Sequence, residues 1–346
     1  MSLPTRPLGS SGLQITTVGF GAWAIGGGGW AFSWGPQDDE VSVATMRHSL
    51  ELGINWIDTA AVYGLGHSEE VVGKLLRELP ASERPLIFTK CGLTWDINNP
   101  MQQAKRILKQ ETIRGECEAS LRRLGIERID LYQFHWPDES GTPIEDSWGV
   151  MVKLIEEGKI RAVGVSNFNV GLLEKCEAIR HVDSLQPPFS MINRAAASEL
   201  LPWCSSRNTG VICYSPMQSG ILTDAFTDDR VARMAGDDWR RRSPEFQEPK
   251  LSRNLSLRDA LQPIATRHGV SVSAVAVAWT LAWPGLTGAI VGARTPEQVD
   301  GWIGAAKVDL TPTDLAEIAA AIAKTQAGAG PAQPEKSSAS TGRSAS

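Results

Sequence analysis

The chain has 346 residues, 42% hydrophobic and 21% charged, with a formal net charge of -5. That length suits two average domains or one α/β barrel of ordinary globular composition. The acidic balance gives no nucleic-acid footprint, and five scattered cysteines without C-x-x-C spacing read as thiols of a reducing compartment, not a disulfide framework or zinc site.

Residues 6–16, with glycines at 9 and 12, read as a small hairpin, and 17–21 as the first strand. A Gly- and Trp-rich loop runs from Ile25 through Trp30 to Trp34, and 38–52 is a helix stopped by Gly53. The second strand, Trp56-Ile57, delivers Asp58 at its end, with Tyr63-Gly64 in the following loop and a helix over 69–79. The third ends on Lys90 and is followed by a helix over 109–124. The fourth ends on His135, with a helix over 144–157. Strands at 161–165, 183–186 and 211–214 follow, with helices over 170–179 and 195–206. A long insertion at 217–251 precedes helices over 255–267 and 272–282. Strand eight is 288–292, and helices over 296–305 and 312–323 close the chain. Eight strands alternating with helices predict a (β/α)8 TIM barrel with an N-terminal β-hairpin and a C-terminal helix for a cofactor, one domain over 1–324. The tail from 325, rich in Gly, Ala, Pro and Ser, is expected to be disordered.

Three features carry less than they suggest. Gly19-Phe-Gly21-Ala-Trp-Ala24 fits a dinucleotide fingerprint, but glycines and tryptophans follow where the fingerprint needs a helix. Asn254-Leu-Ser256 matches a glycosylation sequon, yet the first six residues hold no apolar leader. The apolar stretch 270–293 is broken by Ser271, Ser273, Thr280, Pro284, Gly285 and Thr287, so a buried helix and strand explain it better than a membrane span. A cytoplasmic protein with no membrane partner is expected.

Polar groups ending different strands are the layout of a barrel active site. Each has a structural reading when alone: Asp58 as a cap or ion pair, Tyr63 as a packed aromatic, His135 as a loop histidine. Lys90 is harder to dismiss, since lysines seldom follow buried strands without a partner. As a set they can make a proton-donating phenol, in which Lys90 stabilises the phenolate of Tyr63 and Asp58 holds Lys90 charged.

Six stretches in order resemble the aldo-keto reductase family across roughly residues 6–324. They are Ile57-Asp-Thr-Ala-Ala-Val-Tyr-Gly64, Phe88-Thr-Lys90, Asp130-Leu-Tyr-Gln-Phe-His-Trp-Pro137, the segment from Gly158 to Phe168, that from Tyr214 to Thr223, and Gly292-Ala-Arg-Thr-Pro-Glu-Gln298. The insertion from Gly236 to Pro249 resembles the bacterial general-stress-protein branch. The resemblance implies reduction of aldehydes or ketones to alcohols with NADPH, NADH being possible, on a small-molecule substrate; the sequence leaves the oligomeric state open, with a monomer as the default. It makes Asp58, Tyr63, Lys90 and His135 catalytic, with His135 bonding the substrate oxygen. It assigns Ser166, Asn167 and Gln186 to the nicotinamide carboxamide, Tyr214 to the ring, and Ser215, Pro216, Met217, Gln218, Gly220 and Leu222 to the pyrophosphate. Gly21, Trp23, Gly292, Arg294, Thr295 and Gln298 complete the cofactor set.

Thr295-Pro296-Glu297-Gln298 also reads as a capping box with proline at the first helical position, and Arg294 beside that N-terminus would select a 2′-phosphate. Gly301-Trp302 departs from the family's usual Glu-Asn. Trp30, Trp34, Trp95 and Trp136 are candidates for the substrate pocket, which would then favour apolar or aromatic carbonyls. The alternative of another class is a nicotinamide-binding regulatory protein with negligible turnover, which would need only the cofactor residues. A metal-dependent barrel hydrolase lacks support, because the five histidines show no ligand spacing.

Overall fold

The computed structural model describes residues 2–227 and 229–334. A hairpin of β1 (Thr5–Pro7) and β2 (Gln14–Thr16) precedes β3 (Val18–Gly21), α1 (Asp39–Glu51), β4 (Trp56–Asp58), α2 (His67–Glu78) and β5 (Leu86–Cys91). A small ribbon of β6 (Leu93–Thr94) and β7 (Lys105–Arg106) follows, then α3 (Gln110–Leu124), β8 (Ile129–Phe134), α4 (Ile144–Glu156), β9 (Ile160–Ser166) and α5 (Val170–Glu177). The rest is β10 (Ser184–Gln186), α6 (Leu200–Arg207), β11 (Gly210–Cys213), α7 (Arg230–Arg233), α8 (Lys250–Ala260), α9 (Gln262–His268), α10 (Val272–Leu281), β12 (Gly288–Gly292), α11 (Pro296–Ile303) and α12 (Pro312–Thr325).

Eight parallel strands close into a barrel in the order β3, β4, β5, β8, β9, β10, β11, β12, with β12 pairing back onto β3. This is the predicted (β/α)8 barrel. Strand alternation sorts its side chains into layers. Trp56, Phe88, Leu131, Ala162, Ile212 and Ile290 form one apolar core with Leu8, Leu13 and Ile15 of the hairpin region. Two residues further along their strands from Trp56, Phe88 and Leu131 stand Asp58, Lys90 and Gln133. A polar layer thus lies directly above the apolar one.

Gly19 belongs to the lower layer. A Cβ there would come within 2.1 Å of the Trp56 ring, so the glycine clears space for that indole. This is why a G-x-G pattern occurs without a phosphate loop.

Several boundaries differ from expectation. The helix expected over 255–267 is two, α8 and α9, with Pro263 in the first turn of the second. Residues 195–197 make only a 3-10 turn before α6. The expected tail disorder is corrected for its first residues. Buried Arg194 donates to the carbonyls of Met191, Ala327 and Gly330, and Ala329 bridges Asn193. One buried cation therefore holds two tail carbonyls, those of Ala327 and Gly330, that composition alone would leave free. Residues 335–346 of that expected tail lie outside the described residues. No helix among the described residues is long and apolar enough to cross a membrane.

Candidate active site

Lys90 reaches the inside of the barrel because it shares strand parity with Phe88, and it is 1% exposed. Its ammonium donates to Asp58 Oδ2 at 2.5 Å, to the Thr59 carbonyl at 2.8 Å and to the Tyr63 hydroxyl oxygen at 3.4 Å. An ammonium has three donors, and all three are assigned. Asp58 Oδ1 is held by the Gln186 amide at 2.9 Å, and the Gln133 amide lies 3.5 Å away. Tyr63 is brought over this pair by Gly64, whose φ of 60° lets the loop press against Gly26. A Cβ at Gly64 would lie 2.1 Å from the Gly26 carbonyl oxygen.

Burial dominates the electrostatics. It pushes the Tyr63 phenol well above its ordinary 10, with Asp58 and Tyr214 adding to the rise. It lowers Lys90 against the opposing pull of Asp58, and holds His135 well below 6.5 with help from Lys90 and Arg106. At neutral pH the phenol is therefore protonated and the imidazole uncharged. The loss of water first, then the charges of Asp58 and Tyr214, keep the resting phenol protonated, so the expected action of Lys90 falls on the phenolate formed once the proton leaves.

Above the tetrad lies a cavity of about 970 Å³. Tyr63 packs edge-on to His135 with ring centres 5.6 Å apart, and both line it with Asp58. Of the expected cofactor residues, Gly21, Trp23, Ser166, Asn167, Gln186, Tyr214, Ser215, Pro216, Met217, Gly220, Gly292, Arg294, Thr295 and Gln298 line the same cavity. Gln218 and Leu222 do not: Gln218 accepts from Ser190, and the Leu222 side chain is fully buried. Trp30, Trp34 and Trp136 line it, whereas Trp95 lies outside the lining.

Asn167 sits at φ 62°, fixed by its amide donating to the His135 carbonyl and its oxygen accepting from Tyr214. Ser215, Gln218, Ser219 and Gly220 are also left-handed, so strained backbone forms the rim beyond β11.

At the far end the expected capping box does not form. Thr295 makes no cap bond, and Gln298 instead accepts from the Arg294 backbone N–H at 2.8 Å. The Arg294 guanidinium bonds Gln37 Oε1, the Trp34 carbonyl and the Pro36 carbonyl, so it ties β12 to the loop before α1.

Sequence reading missed several residues here. Trp239 stacks on Trp23 at 5.3 Å, and Arg240 lies 4.3 Å over the Trp34 ring while paired with Asp238. Both come from the long insertion, which carries no periodic pattern; only its tryptophan and arginine content could have flagged it. Gln133 joins them from β8, where its parity with Leu131 and His135 points it inward beside Asp58 and Gln186.

The residues fit a dinucleotide. The cavity runs from the tetrad to the N-terminus of α11, and the indole N–H groups of Trp34 and Trp302 on its wall are buried without partners among the described residues. Among the described residues no group of three His, Cys, Asp or Glu is placed to hold a metal ion.

A closed barrel with this tetrad beneath a long cleft defines an oxidoreductase class, and comparison with known proteins agrees. The sequence profile of the aldo/keto reductase family matches residues 17–323, and the chain belongs to that family. It is 38% identical over 294 residues to the aldo-keto reductase YhdN of Bacillus subtilis, covering 85% of this chain and 86% of that protein. It is 34% identical over 319 residues to an NADH-specific methylglyoxal reductase of Escherichia coli, covering 89% and 95%. The structure of a glycerol dehydrogenase from Gluconobacter oxydans superposes with a TM-score of 0.83 at 37% identity, covering 93% of this chain and 95% of that one. The protein is thus a reductase of small carbonyl compounds that uses a nicotinamide cofactor.

Proposed function

We propose that this protein reduces aldehydes or ketones to alcohols with NADPH as the preferred cofactor and Tyr63 as the general acid. The observation that carries the reading is the allocation of Lys90. All three of its donors point at Asp58, Thr59 and the Tyr63 oxygen, so the phenol accepts from below and keeps its own proton for the cavity.

A dinucleotide held in the cavity would supply a hydride to the carbonyl carbon. Negative charge then grows on the substrate oxygen, and the Tyr63 O–H is placed to donate to it. The neutral imidazole of His135 adds one N–H to the same oxygen, since burial keeps it from binding a second proton. Lys90 stabilises the phenolate left behind, and Asp58 holds Lys90 charged against the cost of burial. Ser166, Asn167 and Gln186 would hold the carboxamide, Tyr214 the ring, and the 215–220 segment the pyrophosphate. Arg294 and the N-terminus of α11 would take the 2′-phosphate.

The wall of Trp23, Trp30, Trp34 and Trp136 suits apolar or aromatic carbonyl compounds. Five buried free cysteines suit a reducing, cytoplasmic compartment; a monomer is the default assembly.

The test is loss of NADPH and of NADH absorbance with a panel of aldehydes and ketones. Turnover that is dependent on carbonyl and faster with NADPH is expected. No turnover with tight cofactor binding would reject the reductase reading.

A further inference from the structure

The substrate end of the cavity carries one charge that the chemistry above leaves unused. Arg106 lies on the β6–β7 ribbon, where its partner across the ladder is Leu93. Its guanidinium stacks 4.2 Å over the Trp136 ring, and it lines the cavity with Trp30, Phe32, Leu93 and His135. One terminal nitrogen, Nη1, bonds Glu139 Oε1 at 2.5 Å, while the Glu139 backbone N–H donates to the Arg106 carbonyl at 3.0 Å. Nε and Nη2 have no partner among the described residues. That edge of the fork is free to take both oxygens of a carboxylate.

We propose that Arg106 selects carbonyl substrates that carry a second, anionic group, a carboxylate separated from the carbonyl by a flat apolar body. The proposal rests on the reductase reading above and assigns the substrate class of that same site. Stacking on Trp136 fixes the plane of the guanidinium, which reduces the side-chain entropy lost on binding. Trp30, Phe32 and Leu93 offer the body an apolar wall.

Competition is weak. Glu139 is the one carboxylate in contact with Arg106 among the described residues, and its side chain is 62% exposed, where an ion pair contributes little. The three other arginines on the lining are differently placed: Arg240 is paired with Asp238, Arg294 is tied to Trp34, Pro36 and Gln37, and exposed Arg230 lies toward Arg294, at the other end of the cavity. Arg106 is also near enough to His135 to help keep that imidazole uncharged, which puts the anion site within reach of the carbonyl end. The carboxylate itself is unchanged in the reaction; it orients the substrate.

The test has a binding arm and a kinetic arm. In the first, benzoate and benzyl alcohol are titrated into the protein and followed by tryptophan fluorescence, with Arg106→Gln and Arg106→Lys beside it. Benzoate should bind the unmutated protein about tenfold more tightly than Arg106→Gln, the lower end for a hydrogen bond to a charged group, because the site is partly solvated. Arg106→Lys should recover part of the loss, and added salt should weaken benzoate binding. Benzyl alcohol should discriminate far less.

In the second arm, 4-formylbenzoate and its methyl ester are compared as substrates. Arg106→Gln should lower kcat/KM at least fivefold more for the anion than for the ester, through KM. Equal benzoate affinity for the unmutated and Arg106→Gln proteins would overturn the proposal whatever the kinetics show. Benzoate discrimination without reduction of any carbonyl would reject the reductase reading and leave the anion site standing.

Discussion

Replacing Lys90 by Met separates the chemistry of the tetrad from its cost. In the barrel, Lys90 and Asp58 are 1% and 2% exposed, and their charged atoms are 2.5 Å apart. Met fills a similar volume but leaves Asp58 Oδ2 without its cation, and only Oδ1 keeps the Gln186 amide. Removing one partner of a buried pair costs about 3–5 kcal/mol, whereas replacing both groups is often neutral. Lys90→Met should therefore lose about that much stability. The double variant Asp58→Asn, Lys90→Met should regain about 2 kcal/mol or more of it, a coupling within the range seen for contacting residues. Urea unfolding followed by tryptophan fluorescence gives both values, and carbonyl reduction should be lost in both variants. A double variant less stable than Lys90→Met by the full separate cost of Asp58→Asn would refute the reasoning, because the pair would then be energetically independent.

Three further outcomes follow from the same geometry. Because burial raises Tyr63 above 10 and lowers Lys90 below 10.5, Lys90 loses its proton first as pH rises. The alkaline limb of kcat/KM for reduction should fall below pH 10.5, and a limb above it would contradict the assignment. Arg294→Ala should weaken NADPH binding by roughly tenfold in fluorescence titrations and NADH much less, the loss being moderated by the bonds Arg294 already makes to residues 34–37; equal losses would make it a loop anchor only. Gly19→Ala should destabilise the barrel by about 1–3 kcal/mol or more through its clash with Trp56, read as a lower Tm, while NADPH affinity at low temperature is retained.

The barrel was legible because strand parity and strand ends are local properties. Trp56 and Asp58, Phe88 and Lys90, Leu131 and His135 each show inward spacing in the chain itself, so the tetrad could be read before any contact was known. The residues after β9 and β11 to which the resemblance gives a cofactor role also stand at strand ends, and most of them line the cavity. What escaped depends on distance in sequence. Arg294 meets Gln37 across 257 residues, and Trp239 finds Trp23 from an insertion with no period. Burial, too, is a tertiary quantity. The sign of the Tyr63 shift turned on how much water the barrel mouth excludes, which no spacing encodes. Arg194 likewise gathers the 327–330 segment only because the loop after β10 and that segment meet in space.

The most direct measurement is single-turnover reduction by Tyr63→Phe. The ring stays and the acid is removed, so the chemical step should slow by roughly 10²- to 10⁴-fold, the range for general acid catalysis. NADPH affinity, measured by fluorescence titration on the same preparation, should hold within about threefold, or about 0.7 kcal/mol, because the hydroxyl removed faces the substrate oxygen and not the dinucleotide. A variant that keeps more than half the chemical rate would contradict Tyr63 as the proton donor.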